Sequence, residues 1–292
     1  MKFYYFGGVF QEESPESAHN LEKSNFSGVM YTYDPTQGDM FIRVAREMKL
    51  NKKIKYLIAI RPHTISPQYL NAISQSMSEI MENRLQINIV PGYIKDHEQS
   101  IGGIVGNVND LSTPLERSKY TVDFIESLGK MIKSIDHSTN AENEPLKNSL
   151  DIFISTTNSY VLEAVKKYNN KIILPYHIYK RGFWSDVHKD PSLKIPIDIK
   201  DTEVMITMTP IIRKTEEELK SLHNYSLRPV WRKGEVPKVI DDTEYFTHES
   251  FDEFVNTLEQ DGINHLLINA VPRQERNIII PFIKQYLDSK QW

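Results

Sequence analysis

The sequence of 292 residues contains no cysteine. Disulfides, thiolate metal sites and a cysteine nucleophile are therefore excluded, whichever compartment holds the protein. Long apolar runs are absent too, since none approaches the roughly 18 residues of a membrane span. The apolar stretch near Met1 is too short for a signal peptide. We expect a cytoplasmic protein with no membrane partner.

The sequence also lacks an excess of positive charge. Its 35 Lys and Arg residues are scattered among 39 Asp and Glu residues, for a net charge of -4. This distribution argues against a nucleic-acid partner. A hydrophobic content of 39% and a charged content of 25% are ordinary for a globular protein. The length suits one large α/β domain or two smaller ones.

Short apolar runs alternate with amphipathic segments along the chain. The runs predict eight strands, at residues 2–8, 28–33, 55–60, 85–90, 151–155, 171–175, 204–210 and 265–269. Helices are predicted at residues 13–22, 39–49, 66–81, 113–133, 159–168, 215–223 and 274–287. The strands are apolar throughout rather than alternating, which is typical of parallel strands covered by helices. Repeated βα units that sum to eight predict a closed (β/α)8 TIM barrel.

The predicted barrel forms one domain, residues 1–292, with loop insertions near 95–112, 176–203 and 224–248. The first insertion contains Gly102, Gly103 and Gly106, which predict a loop that closes over the active face. The other two insertions show no periodicity and receive no assignment. A polar, Asn-rich stretch at 136–149 is predicted to be a solvated linker.

Polar side chains are expected to function where the parallel strands end. These positions hold no carboxylate pair suited to glycoside hydrolysis and no metal-binding cluster. The candidate catalytic groups are Arg61, His63, His177 and Arg273. Plainer roles are open as well: a turn position for either histidine, or a structural ion pair for Arg61.

The segment ISTTNSYVLEA, residues 154–164, places four polar residues between a strand and a helix. Thr156, Thr157, Asn158 and Ser159 could hold a phosphate at the helix N-terminus, although a simple N-cap has the same pattern. Asn88 stands alone in an apolar strand. Its buried amide must find partners, which are either the edge of a heteroaromatic ligand or a structural hydrogen bond.

The stretch IAIRPHTISPQYLNAISQSMSEIMENRLQINIVPG, residues 58–92, resembles the luciferase-like flavin monooxygenases. It is most similar to their alkanesulfonate monooxygenase branch, which has a strand ending in Val-Arg-Pro, then Ile-Ser-Pro, a helix, Gly-Arg and a strand with Asn-Val-Val-Thr-Gly. Weaker similarity continues through residues 26–41, 151–164, 206–219 and 261–275. The resemblance therefore covers nearly the whole chain.

This resemblance implies a barrel that binds FMN, used as reduced flavin from a separate reductase, with O2 and a small organic substrate. By position, Thr156, Thr157, Asn158 and Ser159 would hold the flavin phosphate, and Asn88 would reach the ring system. Tyr120, with Arg117, matches a flavin-contacting segment of the family. A homodimer is expected.

The usual active-site side chains of the sulfonate branch are replaced in this chain. Where that branch has a histidine after the first strand, this chain has FGGVF. Where the branch has Arg-x-His on the seventh strand, this chain has Thr207, Met208 and Thr209. The cysteine of the branch falls on Gln37 and its tyrosine on Val271. The leading hypothesis is therefore a reduced-FMN-dependent monooxygenase with an unidentified substrate. The alternatives are a flavin-binding relative without turnover and an oxidoreductase that uses deazaflavin F420.

Overall fold

Eight parallel strands close into a barrel in the structure, a computed structural model that describes residues 1–8, 17–33, 38–81, 83–91, 111, 113–136, 150–180, 202–224, 243–270 and 275–290. The strands are β1 Lys2–Gly8, β2 Gly28–Thr32, β3 Lys55–Ile60, β4 Leu85–Ile89, β5 Asp151–Ser155, β6 Lys171–Pro175, β7 Val204–Arg213, β8 Thr243–Thr247 and β9 His265–Ile268. Strands β1 to β7 pair in sequence order, and β9 closes the ring by pairing with both β7 and β1. The predicted barrel and its eight strands are confirmed.

Helices cover the outside of the barrel. They are α1 Ala18–Lys23, α2 Met40–Glu47, α3 Pro67–Met81, α4 Pro114–Asp136, α5 Ser159–Lys167, α6 Tyr176–Lys180, α7 Glu216–Asn224, α8 His248–Gln260 and α9 Arg276–Ser289. Each predicted helix is present. Where an end lies among the described residues, it differs from the predicted end by a few residues at most. Among the described helices, none combines the length and apolar character needed to cross a membrane.

Local side-chain hydrogen bonds explain where several helices begin. The Asp39 carboxylate accepts from the Phe41 and Ile42 amides at 2.8 and 3.4 Å at the start of α2. Thr247 and Ser250 form a reciprocal capping box at the start of α8. Each cap satisfies amides that the first turn of a helix leaves without a backbone acceptor.

Strand β7 belongs to two sheets. Its first half pairs with β6 and β9 inside the barrel, whereas residues 209–213 pair with β8. Neither β8 nor α8 was predicted, although α8 carries a helical signal in Phe251, Phe254, Val255 and Leu258, all buried. Because of this extra βα unit, β7 rises above the barrel on its carboxyl side.

The barrel interior holds its own small core, separate from the larger core between sheet and helices. One layer contains Tyr4, Leu57, Phe153 and Met205, which come from β1, β3, β5 and β7 and are fully buried. By strand register, the next layer comes from β2, β4, β6 and β9: Met30, Asn88, Ile173 and Leu267. Alternate strands filling alternate layers is the packing expected of a closed eight-stranded barrel.

A chain of charged groups lies at the opposite end, where the strands begin. This barrel floor consists of Lys55, Asp151, Lys171, Glu203 and His265. Lys171 pairs with Asp151 at 3.1 Å and with Glu203 at 2.8 Å, and His265 hydrogen-bonds Glu203. That bond from His265, followed by the contacts with Lys171, lowers the pKa of Glu203 to about 2. Lys55, Asp151, Lys171 and Glu203 thus alternate in sign along the floor, so each charge lies beside an opposite one.

Candidate functional site

The open end of the barrel forms a cup lined by uncharged side chains. Strand alternation and register place these inward-facing residues above the packed layers: Phe6, Thr32, Ala59, Ser155, Thr207 and Asn269. We call this set, together with Asn88 beneath it, the mouth cup. All except Ala59 and Asn88 are half-buried. Because they point into the barrel above its packed layers, they face the mouth.

Asn88 forms the polar part of the cup's base. It is 1% exposed, and its Oδ1 accepts from the Ser155 hydroxyl at 3.0 Å. Its Nδ2 donates to the Met30 thioether at 3.5 Å, and sulfur is a weak acceptor. The amide is therefore oriented by the protein and can still donate to a stronger acceptor in the cup. Ser155 was not predicted to orient Asn88, although it ends the neighbouring strand.

Arg61 and His63 are both buried at the mouth, next to the end of β3. Arg61 is 9% exposed, and its carbonyl accepts from the Thr64 amide at 2.9 Å and the Thr64 hydroxyl at 2.8 Å. His63 is 2% exposed within a single 3-10 turn, Pro62–Thr64. This turn packs against α4. The structure thus brings both residues to the carboxyl end of the barrel, with His63 inside the protein rather than on a surface turn.

The four polar residues after β5 form the start of α5. Asn158 caps the helix, because its Oδ1 accepts from the Tyr160 and Val161 amides at 3.0 and 3.4 Å. The Thr156 hydroxyl accepts from the Asn158 amide at 3.1 Å, and Thr157 is half-buried. Ser159 is the first residue of the helix. The N-cap interpretation of Asn158 therefore has a geometric basis, and a phosphate here would compete with that cap; the phosphate site stays a prediction.

The remaining candidates lie on helices around the mouth. Tyr120 is half-buried on α4, and burial raises the pKa of its phenol. Arg117, one turn earlier, donates to the Leu111 carbonyl at 3.0 Å. His177 is half-buried in α6, directly after β6. Arg273, Gln37, Val271 and most of the predicted loop at 95–112 lie outside the described residues, as does the linker after residue 136.

A buried ion pair that was not predicted joins β7 to the start of α9. Arg213 donates to both carboxylate oxygens of Glu275, each at 2.8 Å. The side chains are 14% and 5% exposed. The hydrogen bond with Glu275 raises the pKa of Arg213. The two residues are 62 positions apart, so no local pattern could have paired them.

No protein-family model matches the chain. Solved structures resemble it over almost its whole length. A coenzyme F420-dependent tetrahydromethanopterin reductase from Methanopyrus kandleri has a TM-score of 0.65 at 11% identity, covering 98% of both chains. An EDTA monooxygenase from Chelativorans sp. has a TM-score of 0.64 at 11% identity, covering 100% of this chain and 94% of the other. A monooxygenase from Streptomyces bottropensis has a TM-score of 0.63 at 10% identity, covering 100% of both.

These similarities show a shared fold. The chain has the (β/α)8 barrel fold of these structures. At such low identity the activity of a similar structure does not transfer with the fold, so function has to be argued from the site.

Proposed function

We propose that this protein is an oxidoreductase that binds a flavin-type cofactor in the mouth cup, with reduced FMN and a monooxygenase reaction as the leading form. The observation that carries the proposal is the uncharged cup above an oriented Asn88. The similar structures add support, because they include monooxygenases and F420-dependent enzymes.

The chemistry of the mouth cup suits a flat, neutral ring system. All eight barrel strands are described, and within the closed barrel their inward-facing charged residues lie at the floor. Arg213, which is on the same face of β7, lies beyond the closed part of the barrel and is paired with Glu275. A charged group deep in the cup would be desolvated without an opposite charge on these strands, whereas a heteroaromatic ring would not. The Asn88 amide can hydrogen-bond the polar edge of such a ring.

Outside the cup, the mouth offers groups for the anionic part of a cofactor. Arg61, buried just after β3, would supply a guanidinium, and the first turn of α5 would supply backbone amides in place of the Asn158 cap. A bound reduced flavin would supply the electrons for oxygen chemistry. The protein's own residues would bind it, orient it and keep water from the cup.

Hydride transfer with F420 is the second candidate. The F420-dependent reductase and the EDTA monooxygenase match the chain equally well, with TM-scores of 0.65 and 0.64. The argument from the uncharged lining of the cup applies to either ring, so the two functions differ in ligand and in oxygen use. Parallel anaerobic titrations with FMN, reduced FMN and F420, followed by oxygen-consumption measurements on the tightest complex, distinguish them.

Substitution of Asn88 by Leu tests the site. The change keeps the size of the side chain similar but replaces its polar amide with an apolar group, so we expect cofactor affinity to fall about 10- to 100-fold, the equivalent of one or two hydrogen bonds. The measurement is fluorescence titration of the folded variant. Unchanged affinity for every cofactor that the parent binds would contradict this placement.

Gln86 supplies the matched control. It lies two residues earlier on the same face of β4, is fully buried, and donates to Asp151 at 2.9 Å in the floor. Gln86→Leu should lower stability and leave the affinity of the folded protein unchanged. A loss of affinity equal to that of Asn88→Leu would show that any disturbance of β4 weakens binding.

A further inference from the structure

The upper half of β7 projects beyond the closed barrel beside the mouth. Its pairing with β9 ends at Met208, whose carbonyl accepts from the Asn269 amide at 2.9 Å. From residue 209 to Arg213 the strand pairs with β8 instead. The ion pair between Arg213 and Glu275 therefore connects β7 to the chain after β9. It does so beyond the point where β7 and β9 stop pairing.

The Arg213 side chain lies on the face of β7 that lines the barrel. Met205 belongs to the inner core, whereas Ile206, Met208 and Ile212 belong to the outer core. Alternation along the strand then places Thr207, Thr209 and Arg213 on the inner face. Two parallel hydrogen bonds to Glu275 fix the guanidinium in direction as well as in distance.

We propose that Arg213 and Glu275 are positioning residues of the mouth cup. The pair fixes the start of α9 to the inner face of β7, the face that carries Thr207 of the cup, and so fixes the position of this side of the cup. Neither residue needs to touch the cofactor. The positioning role rests on the proposed function, because it needs a bound cofactor. The link that the ion pair forms between β7 and α9 does not depend on any ligand.

Hydrogen exchange tests the link without any ligand. Arg213→Met and Glu275→Gln should raise exchange rates about tenfold or more at residues 265–270 and 276–280, and leave β3 unchanged. Arg213→Lys keeps the charge but cannot form the two-pronged pair, so it should fall between the parent and Arg213→Met. Arg213→Lys and Glu275→Gln keep the side-chain size close to that of the parent. They therefore serve as folded variants if Arg213→Met is unstable. Unchanged exchange in these variants would overturn the link.

Cofactor titration tests the positioning role. With FMN and F420 as probes, we expect at least tenfold weaker binding by the folded fraction of Arg213→Met, partial recovery in Arg213→Lys, and a shifted emission maximum of bound flavin. A merely structural pair would lower the melting temperature and leave the affinity and emission of the folded fraction unchanged, and that result would overturn the proposal. If the parent binds neither probe, the proposed function fails, and so does the positioning role that depends on it.

The exposed pair between Lys167 and Glu126 is the control. Their Nζ and Oε1 atoms are 2.7 Å apart, on helices α5 and α4, with 59% and 30% of the side chains exposed. Lys167→Met removes an ion pair of similar length away from the mouth. It should change neither the exchange at residues 265–270 nor the affinity, and an effect as large as that of Arg213→Met would overturn the assignment to the mouth.

Discussion

Replacing Gly28 with alanine should destabilise the barrel by steric overpacking. A Cβ at this position would lie 2.3 Å from Tyr4 Cε1, 2.4 Å from Tyr4 Cδ1 and 3.1 Å from the Lys55 carbonyl oxygen. Tyr4 is fully buried in the inner layer, with its ring 5.8 Å from that of His265. The ring cannot swing into solvent, so relief requires shifts within a closed layer.

The expected cost follows from that confinement. Overpacking a well-packed core typically costs about 1–3 kcal/mol, and a contact with a confined ring belongs in the upper part, about 2–3 kcal/mol. For a chain of this size that corresponds to a melting temperature lower by roughly 4–10 °C. Thermal and urea unfolding followed by circular dichroism measure it, and a change within about 0.5 kcal/mol would refute the reasoning.

Gly129 provides the comparison. An added Cβ there would also lie 2.3 Å from a tyrosine ring, that of Tyr168. Tyr168, however, is half-buried and borders a cleft of about 140 Å³ between α4 and the sheet, so its ring has room to move. Alanine also favours the helix by about 0.5–1 kcal/mol over glycine. Gly129→Ala should therefore be neutral or stabilising, and combining Gly28→Ala with Tyr4→Leu should recover at least about 1 kcal/mol relative to additivity.

Two further predictions concern charged groups. The pKa of Glu203 is lowered to about 2 from an ordinary 4.5, so its stabilising effect is complete above pH 4.5 and is lost as the pH falls toward 2. Its side chain is 37% exposed, so we expect it to contribute about 1–2 kcal/mol to the free energy of unfolding. The urea midpoint of Glu203→Gln should therefore fall less steeply with decreasing pH below 4.5 than that of the parent, and an equally steep fall would contradict this. Arg61→Met should keep the fold but weaken reduced FMN more than oxidised FMN, because a guanidinium favours the anionic reduced ring. Equal loss for both redox states in anaerobic titrations would assign Arg61 a structural role.

The regular part of the fold was predictable because each barrel strand is a buried apolar run followed by a turn and a helix. Strand β8 was not, because its sequence TEYFT has two adjacent aromatic residues without an apolar run or alternation, and it follows a stretch without periodicity. Helix α8 was missed despite clear signals, with Thr247 at its cap and Phe251 and Leu258 at helical spacing. Strand β8 falls within the insertion at 224–248, which received no assignment, and the residues of α8 after it received none either.

The candidate site was predictable only as far as local sequence allowed. Asn88 stood out because an amide in an apolar strand needs a partner, but Ser155 and Met30 became its partners only through strand pairing. Arg213 and Glu275 are distant in sequence, and only the closed barrel places them side by side. Sequence patterns find residues that need an explanation, whereas tertiary contacts decide which residue provides it.

The packed layers between floor and mouth also divide the barrel into two compartments. Tyr4, Leu57, Phe153 and Met205 leave less than 2% of their surface exposed, so they separate the charged end from the open end. A substitution in the floor can therefore change acid tolerance or thermal stability without reaching the ligand, and a substitution in the cup can alter ligand preference at little structural cost. Such insulation would let a lineage exchange one cofactor or substrate for another while the charged end stayed fixed.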